Sequence, residues 1–428
     1  MDLSRKPYSM LQFNRLEALK NWEKGSRSRM APTIAPMHDL TARLGNPHEA
    51  FKAVHVTGTK GKGSVCALLD TALHRAGLRV GRYASPHVLS ICERISVRGR
   101  PIAQSALEAA LERVLDVRDQ ASLEGTAAKD ATWFDVLTAA AFLHFAREKV
   151  DWVVAEVGLG GRLDSTNVLE SRVCVITNIG LEHTDVLGDT RVKIAMEKAG
   201  IIKRRSVVVT GLQAGDEAHD VVASQVHKQQ ATLVTVPAQQ LATQQTVALA
   251  GAVLDSMGMQ GVTGPRDGDN ALHQGLLDAS VVRASALPGR FERVEHRSGD
   301  RHTTILLDGA HVDIALRAVF DEVRDAPWSA GPITVLMALG RDKNPRRMLE
   351  QLCRRVQHVV FTTLKDHDCL EPAELVKCAR TIGLSCSEAV SPEEGMRECL
   401  SRAGNGGWIL VTGSLHLIAP ARRALVSA

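Results

Sequence analysis

Short runs of Val, Ile and Ala, each followed by helical periodicity, recur through most of this chain, and that alternation constrains the fold more than any other feature. A strand expected at 53–56 leads through glycines into a helical pattern over 62–76 that stops at Gly77, a helix-terminating residue type. Further strands are expected around 79–83, in "DWVVAEVG" (151–158), in "RVCVITNIG" (172–180), in "RSVVVTG" (205–211) and in "ATLVTVP". Helices are expected over 8–22, 104–120, 134–149, 216–228 and 243–257. Strands alternating with helices across short loops imply a parallel sheet with helices on both faces. Hydrophobic residues make up 44% and aromatics only 4%, so such a core has to be built from aliphatic side chains.

The rhythm breaks in the polar stretches 258–270 and 286–302 and resumes at "TTILLDGAH". Strands are then expected at 303–307, 333–338, 358–363 and 408–412, with a helix over 312–323. A chain of 428 residues exceeds one ordinary core. The expected fold class is therefore α/β in two domains. Residues 1–286 are expected to form an N-terminal domain with a mainly parallel sheet, and 287–428 a smaller C-terminal Rossmann-like α/β domain.

A formal charge of +4 gives no general attraction to nucleic acid, and no basic cluster is interleaved with aromatics. The eight cysteines form no C-x-x-C pair, and Cys66 and Cys174 sit in apolar runs, as reduced core residues do. No apolar run approaches the roughly 18 residues of a membrane span, and the first residues lack the apolar centre of a signal peptide. A soluble, cytoplasmic protein with no membrane or nucleic-acid partner is expected.

"HVTGTKGKGS" (55–64) supplies what a phosphate loop needs, so the N-terminal domain is expected to be a P-loop ATPase domain. Gly58, Gly61 and Gly63 let backbone N–H groups converge on oxygens, the helix N-terminus adds partial positive charge, and Lys62 and Ser64 add a cation and a hydroxyl. A nucleotide site also needs a carboxylate for a cation, and Glu156, at the end of "WVVA", is an acid where an unpaired acid is costly. His183 follows the next strand and should emerge on the same sheet edge, where ligands bind in such folds. Lys198, in "AMEKAGIIK", has the look of a lysine that snorkels to solvent, and spacing alone does not select it. In the second domain Arg290, Asp308, His311, Ser414 and His416 lie at or near strand ends, so a cleft between two domains is expected.

Taken in order, "HVTGTKGKGS", "SPHVLSICERI", "EVGLGGRLDSTNV", "LEHTDVLGDT", "EKAGIIK", "LPGRFE", "DGAH" and "TGSLH" resemble the folylpolyglutamate synthase and dihydrofolate synthase family, within the Mur ligase superfamily. The extra glycine between Lys62 and Ser64 is usual there. The resemblance implies an ATP-dependent ligase in which a folate or dihydropteroate carboxylate is phosphorylated and the acyl phosphate is attacked by the amine of L-glutamate. It implies that Gly61, Lys62, Gly63 and Ser64 hold the ATP phosphates and that Ser85, Glu156 and His183 ligate Mg²⁺. Lys198 would react with CO₂ to form a carbamate for a second Mg²⁺, and Lys62, Lys198 and His183 would carry the chemistry. Arg290 and Asp308 would contact the nucleotide, and His311 and Ser414 would seat glutamate. Thr132, Trp133, Phe134 and Asp135, with Leu163, Asp164 and Ser165 of "RLDS", would line the pterin pocket. A monomer is the family expectation.

The chain departs from the family pattern where His-Asn-Pro becomes His311, Val312 and Asp313, where "TxFE" becomes "TWFD", and where an Asn of the Ala-rich helix has no counterpart near Ala248. Two other readings stay open: a Mur-type ligase joining amino acids to a cell-wall nucleotide precursor, and an ATP-binding paralogue that ligates nothing. "SPHV" and "TWFD" favour the folate branch over the first, and the altered 311–313 segment motivates the second.

Overall fold

The computed structural model describes residues 11–23, 32–266, 270–298, 301–365, 367–404 and 406–427. Residues 8–10 of the first expected helix lie outside them, and of the rest only Leu11–Glu17 is helical, the chain leaving the helix before residues 18–22. The chain divides into two compact units, one ending at Ser285 and the other beginning at Ala286 and also taking in Leu241–Thr243.

Eight strands build the main sheet of the first unit: β1 (Lys52–Thr57), β2 (Val80–Tyr83), β3 (Ile95–Val97), β4 (Arg100–Pro101), β5 (Trp152–Glu156), β6 (Val173–Ile176), β7 (Val207–Thr210) and β8 (Thr232–Thr235). Their order is β4-β3-β2-β5-β1-β6-β7-β8. From β2 to β8 neighbours run parallel. The β3–β4 hairpin adds an antiparallel edge. Every residue of β5 and β6 is buried, as parallel strands covered on both faces require.

Alternate side chains of β1 and β5 enter different cores. Ala53, Val153 and Ala155 pack with the helices Gln104–Glu124 and Trp133–Arg147. Val54, Val56, Trp152 and Val154 pack with Lys62–Arg75 and Ala242–Met259. Each fully buried Val contributes about 1.5–3 kcal/mol. Because β1 lies between β5 and β6, the loops that follow these three strands leave the sheet side by side, and the candidate site is assembled from them. A short antiparallel pair, β9 (Thr263–Gly264) and β10 (Asn270–Ala271), follows the Ala-rich helix.

The second unit carries a six-stranded sheet of β11 (Glu292–Ser298), β12 (Arg301–Leu307), β13 (Ile333–Met337), β14 (His358–Thr362), β15 (Cys386–Ala389) and β16 (Trp408–Thr412). Its order is β11-β12-β16-β13-β14-β15, parallel except for β11. Two of these strands were not expected. β11 is an edge strand whose residues alternate between half-buried and exposed, so it has no apolar run. β15, at the other edge, is four residues long with only Ala389 buried.

All eight cysteines are free, and Cys66 and Cys174 are buried. Among the described residues no helix is long and apolar enough to cross a membrane.

Candidate active site

The glycine loop after β1 owes its shape to the loop after β6. Gly58 has φ +146°, and a Cβ there would lie 1.9 Å from the Thr177 hydroxyl oxygen, so only glycine fits. The Thr177 hydroxyl donates to the Lys60 carbonyl at 2.6 Å. Asn178 brackets the same residue, accepting from the Lys60 N–H at 2.9 Å and donating to its carbonyl at 3.1 Å. Gly61, at φ +82°, caps the helix Lys62–Arg75, with Lys62, Gly63 and Ser64 in its first turn. N–H groups of a helix's first turn lack intrahelical partners, so this end favours an anion.

Two lysines converge on one carbonyl in this loop. Lys62 Nζ donates to Gly58 O at 3.1 Å, and Lys198 Nζ donates to the same oxygen at 2.9 Å. Lys198 does not snorkel as expected, because only 5% of it is exposed. Burial, and then the Lys62 charge, push its amine down to about 7. Its placement follows from glycine packing. A Cβ on Gly161 would lie 2.8 Å from Glu197 O and 3.0 Å from Lys198 O, and one on Gly200 would lie 2.4 Å from Arg162 Cβ. "GLGGR" and "EKAG" interlock at backbone distance, and the Arg162 N–H donates to Glu197 O at 2.8 Å.

Gly58, Lys62, His183 and Lys198 line one pocket with Glu182 and the 158–160 loop. His183 takes a left-handed backbone, φ +53°, at the start of the helix Thr184–Leu187. A non-glycine residue held there is strained, as residues at functional sites often are. Its neighbour Glu182, which sequence reasoning passed over, accepts from Lys60 Nζ at 2.8 Å and lies 4.0 Å from His183 Nε2. Its adjacency to His183 in "LEHTD" was the one available signal.

Glu156 and Ser85 form a second group at the same sheet edge. Glu156 is 3% exposed, and its Oε2 accepts from the Ser85 N–H at 3.1 Å.

"TWFD" and "RLDS" meet as well, in an arrangement that corrects part of the expectation. Asp135 closes a capping box on the helix Trp133–Arg147, its Oδ2 accepting from the Thr132 N–H at 2.8 Å and the Thr132 hydroxyl at 2.7 Å. Its Oδ1 accepts from the Ser165 hydroxyl at 2.6 Å. Trp133, expected to line a pocket, is core, with its indole N–H donating to Glu17 at 2.9 Å. Phe134 is half-buried, its ring against Gly158 and 5.9 Å from that of Tyr83. Leu163 is half-buried beside Asp164. Asp164 is buried, which raises its carboxyl, and its Oδ2 accepts from the Leu159 N–H at 2.9 Å.

In the second unit the expected residues gather where β12 and β16 end. Asp308 accepts from the N–H of Phe291 at 2.8 Å through Oδ2 and from that of Ala310 at 2.9 Å through Oδ1. It thereby ties "LPGRFE" to "DGAH". A Cβ on Gly309 would lie 2.8 Å from a Leu415 methyl, which fits "DGAH" against "TGSLH". His311 Nδ1 bonds Gly309 O at 2.9 Å, and Ser414 Oγ accepts from the His416 N–H at 3.2 Å. Arg290 is half-buried and directly precedes Phe291, whose backbone is left-handed. Glu292, missed in the sequence, accepts from the Gly289 N–H at 2.8 Å and from Arg422 at 2.6 Å.

Comparison with known proteins places this arrangement among relatives. Residues 56–260 match the Mur ligase middle domain, and 289–415 match the Mur ligase, glutamate ligase domain. The chain is 30% identical to the dihydrofolate synthase/folylpolyglutamate synthase of Bacillus subtilis (strain 168), over 96% of this chain and 100% of that one. The Mycobacterium tuberculosis folylpolyglutamate synthase complexed with ADP is 28% identical, with a TM-score of 0.79 and 98% of each chain covered. A bifunctional folylpolyglutamate synthase/dihydrofolate synthase with Mn, AMPPNP and L-glutamate bound is 25% identical, with a TM-score of 0.76 and 97% of each chain covered.

Proposed function

We propose a division of labour for this site on one premise: the chain belongs to the folylpolyglutamate synthase/dihydrofolate synthase family, within the Mur ligase superfamily. It is an ATP-dependent ligase that joins L-glutamate to a folate or dihydropteroate carboxylate through an acyl phosphate. The observation that carries the assignment of residues is the meeting of the Lys62 and Lys198 amines at Gly58 O, at the start of a helix.

A carboxylate is a poor electrophile, and ATP is an anion, so the reaction must bring like charges together. Gly61, Gly63 and Ser64 present backbone and hydroxyl donors to the phosphates, and the Lys62 ammonium offsets charge on the γ-phosphoryl group as it moves to the carboxylate. The glutamate amine then attacks the carbonyl carbon, an amide forms, and phosphate leaves with the bridging oxygen. Arg290 is assigned to the nucleotide and His311 and Ser414 to glutamate, while Asp308 acts by holding their segments in register. Thr132, Phe134, Asp164 and Ser165 are assigned to the pterin.

The donor set fits a divalent cation. Mg²⁺ takes oxygen ligands and keeps waters, so one buried carboxylate beside a phosphate site suffices, and no three acidic, His or Cys side chains cluster as a closed cage among the described residues. Ser85, Glu156 and His183 would hold it, and when bound it screens phosphate charge. An amine that titrates near 7 is partly neutral at physiological pH, and a neutral Lys198 adds to CO₂, giving a carbamate and a proton. That turns a cation into an oxygen donor for a second ion.

Glutamate-dependent phosphate release, with dihydropteroate or tetrahydrofolate as acceptor, tests the reading. Release with either is expected. Release only with a UDP-muramoyl acceptor would move the chain to the cell-wall branch, and ATP binding without release would make it a non-ligating paralogue.

A further inference from the structure

His55 lies in β1 between Ala155 of β5 and Cys174 of β6, with none of its surface exposed. Burial pushes its imidazole down to about 3, so the ring is neutral at any physiological pH. Its Nε2 is 2.8 Å from the Thr166 hydroxyl oxygen. Thr166 spends its single hydroxyl proton on Asp164 Oδ1, so toward the ring it can only accept. The ring proton is therefore on Nε2, and Nδ1 is left as a buried acceptor without a partner. Asp164 Oδ1 also accepts from the Thr166 N–H at 3.0 Å, while Oδ2 holds the Leu159 N–H. Leu159, with Gly158 and Gly160, lines the pocket that contains Lys62 and Lys198.

A buried ring nitrogen without a partner is a cost that packing does not explain, since an aliphatic side chain would fill the same space without it. What the histidine adds is a directed donor. We propose that His55 is a positioning residue of the ligase: through the Thr166 hydroxyl it fixes the Asp164 carboxylate and, with it, the glycine loop that follows β5. The chain runs in one direction, from ring N–H to hydroxyl to carboxylate, and each donor polarises the next. Its kinetic consequence rests on the reading above that Asp164 faces the pterin. Its structural consequence does not.

The test compares His55→Leu, Thr166→Val and the double variant with the wild type, with His55→Gln as the conservative variant that keeps a donor near the Nε2 position. Two quantities are read: hydrogen exchange at the Leu159 amide, and kcat and KM for dihydropteroate or tetrahydrofolate. Each single variant is expected to speed Leu159 exchange and raise the pterin KM by about tenfold, the scale of a hydrogen bond to a charged group, with kcat changed much less. His55→Gln should recover most of both. The double variant should be no worse than either single one, because the two residues act as one relay. Should His55→Leu fail to fold, the nearly isosteric Thr166→Val carries the comparison. Unchanged Leu159 exchange in the single variants, or additive losses in the double variant, would overturn the proposal. Faster exchange with an unchanged pterin KM would keep the relay and remove Asp164 from the pterin instead.

Discussion

For single residues in this site, burial decides which charges persist. Lys198 is nearly inaccessible and its amine is held near 7, against an ordinary value of 10.5. Between about 7 and 10.5 the unfolded chain binds a proton there that the folded protein does not, so this residue makes stability rise with pH across that window. Urea midpoints measured from neutral to alkaline pH should rise more steeply in the wild type than in Lys198→Met, and parallel profiles would show that the amine titrates normally. For activity, Lys198→Ala should lower turnover by about 10²–10³, the scale of losing one preorganised charge-stabilising group, while ATP affinity changes far less. Added short carboxylates should restore part of the rate. Asp308 makes a different kind of claim. Removing its carboxylate in Asp308→Ala leaves the N–H groups of Phe291 and Ala310 without their acceptor, at about 1–3 kcal/mol for each that stays buried. Denaturant unfolding should record that loss, and an unchanged midpoint would contradict the tie between the two motifs.

At the scale of elements, glycines decide how closely loops approach. Gly58→Ala drives a methyl into Thr177, whose hydroxyl holds the Lys60 carbonyl, so both the loop and its support must shift. ATP affinity should fall at least about tenfold, with about 1–3 kcal/mol of stability lost to overpacking. Calorimetric titration checks the first, and near-normal affinity would mean the loop has more freedom than its contacts imply. The buried strands were legible because parallel strands covered on both faces read as unbroken apolar runs: β5, β6, β13 and β16 fell inside their expected windows. β11 and β15 were not, since an edge strand needs no such run and pairing alone defines it. The glycine loop could be read from its residues, because φ angles and close approach dictate residue type. Thr177 and Asn178 could not be, because a side chain that braces another loop across a sheet leaves no periodic trace.

At the scale of the whole molecule, two α/β units each collect their motif residues where parallel strands end, and this could be anticipated from the order of strands alone. Spacing did not single out Lys198; the motif resemblance did. Lys198 has the local sequence of an ordinary helix end, and only the packing of Gly161 and Gly200 turns it inward. Trp133 shows the reverse: a motif aromatic expected to line the pterin pocket packs in the core. In the proposed division of labour, charge screening at the glycine loop lets a carboxylate be phosphorylated before glutamate attacks it. The most direct measurement uses a pterin acceptor with ¹⁸O in its carboxylate, with inorganic phosphate examined by mass spectrometry after glutamate is joined. Activation by phosphorylation predicts one labelled oxygen in the phosphate for each amide formed. Amide formation with unlabelled phosphate would contradict it.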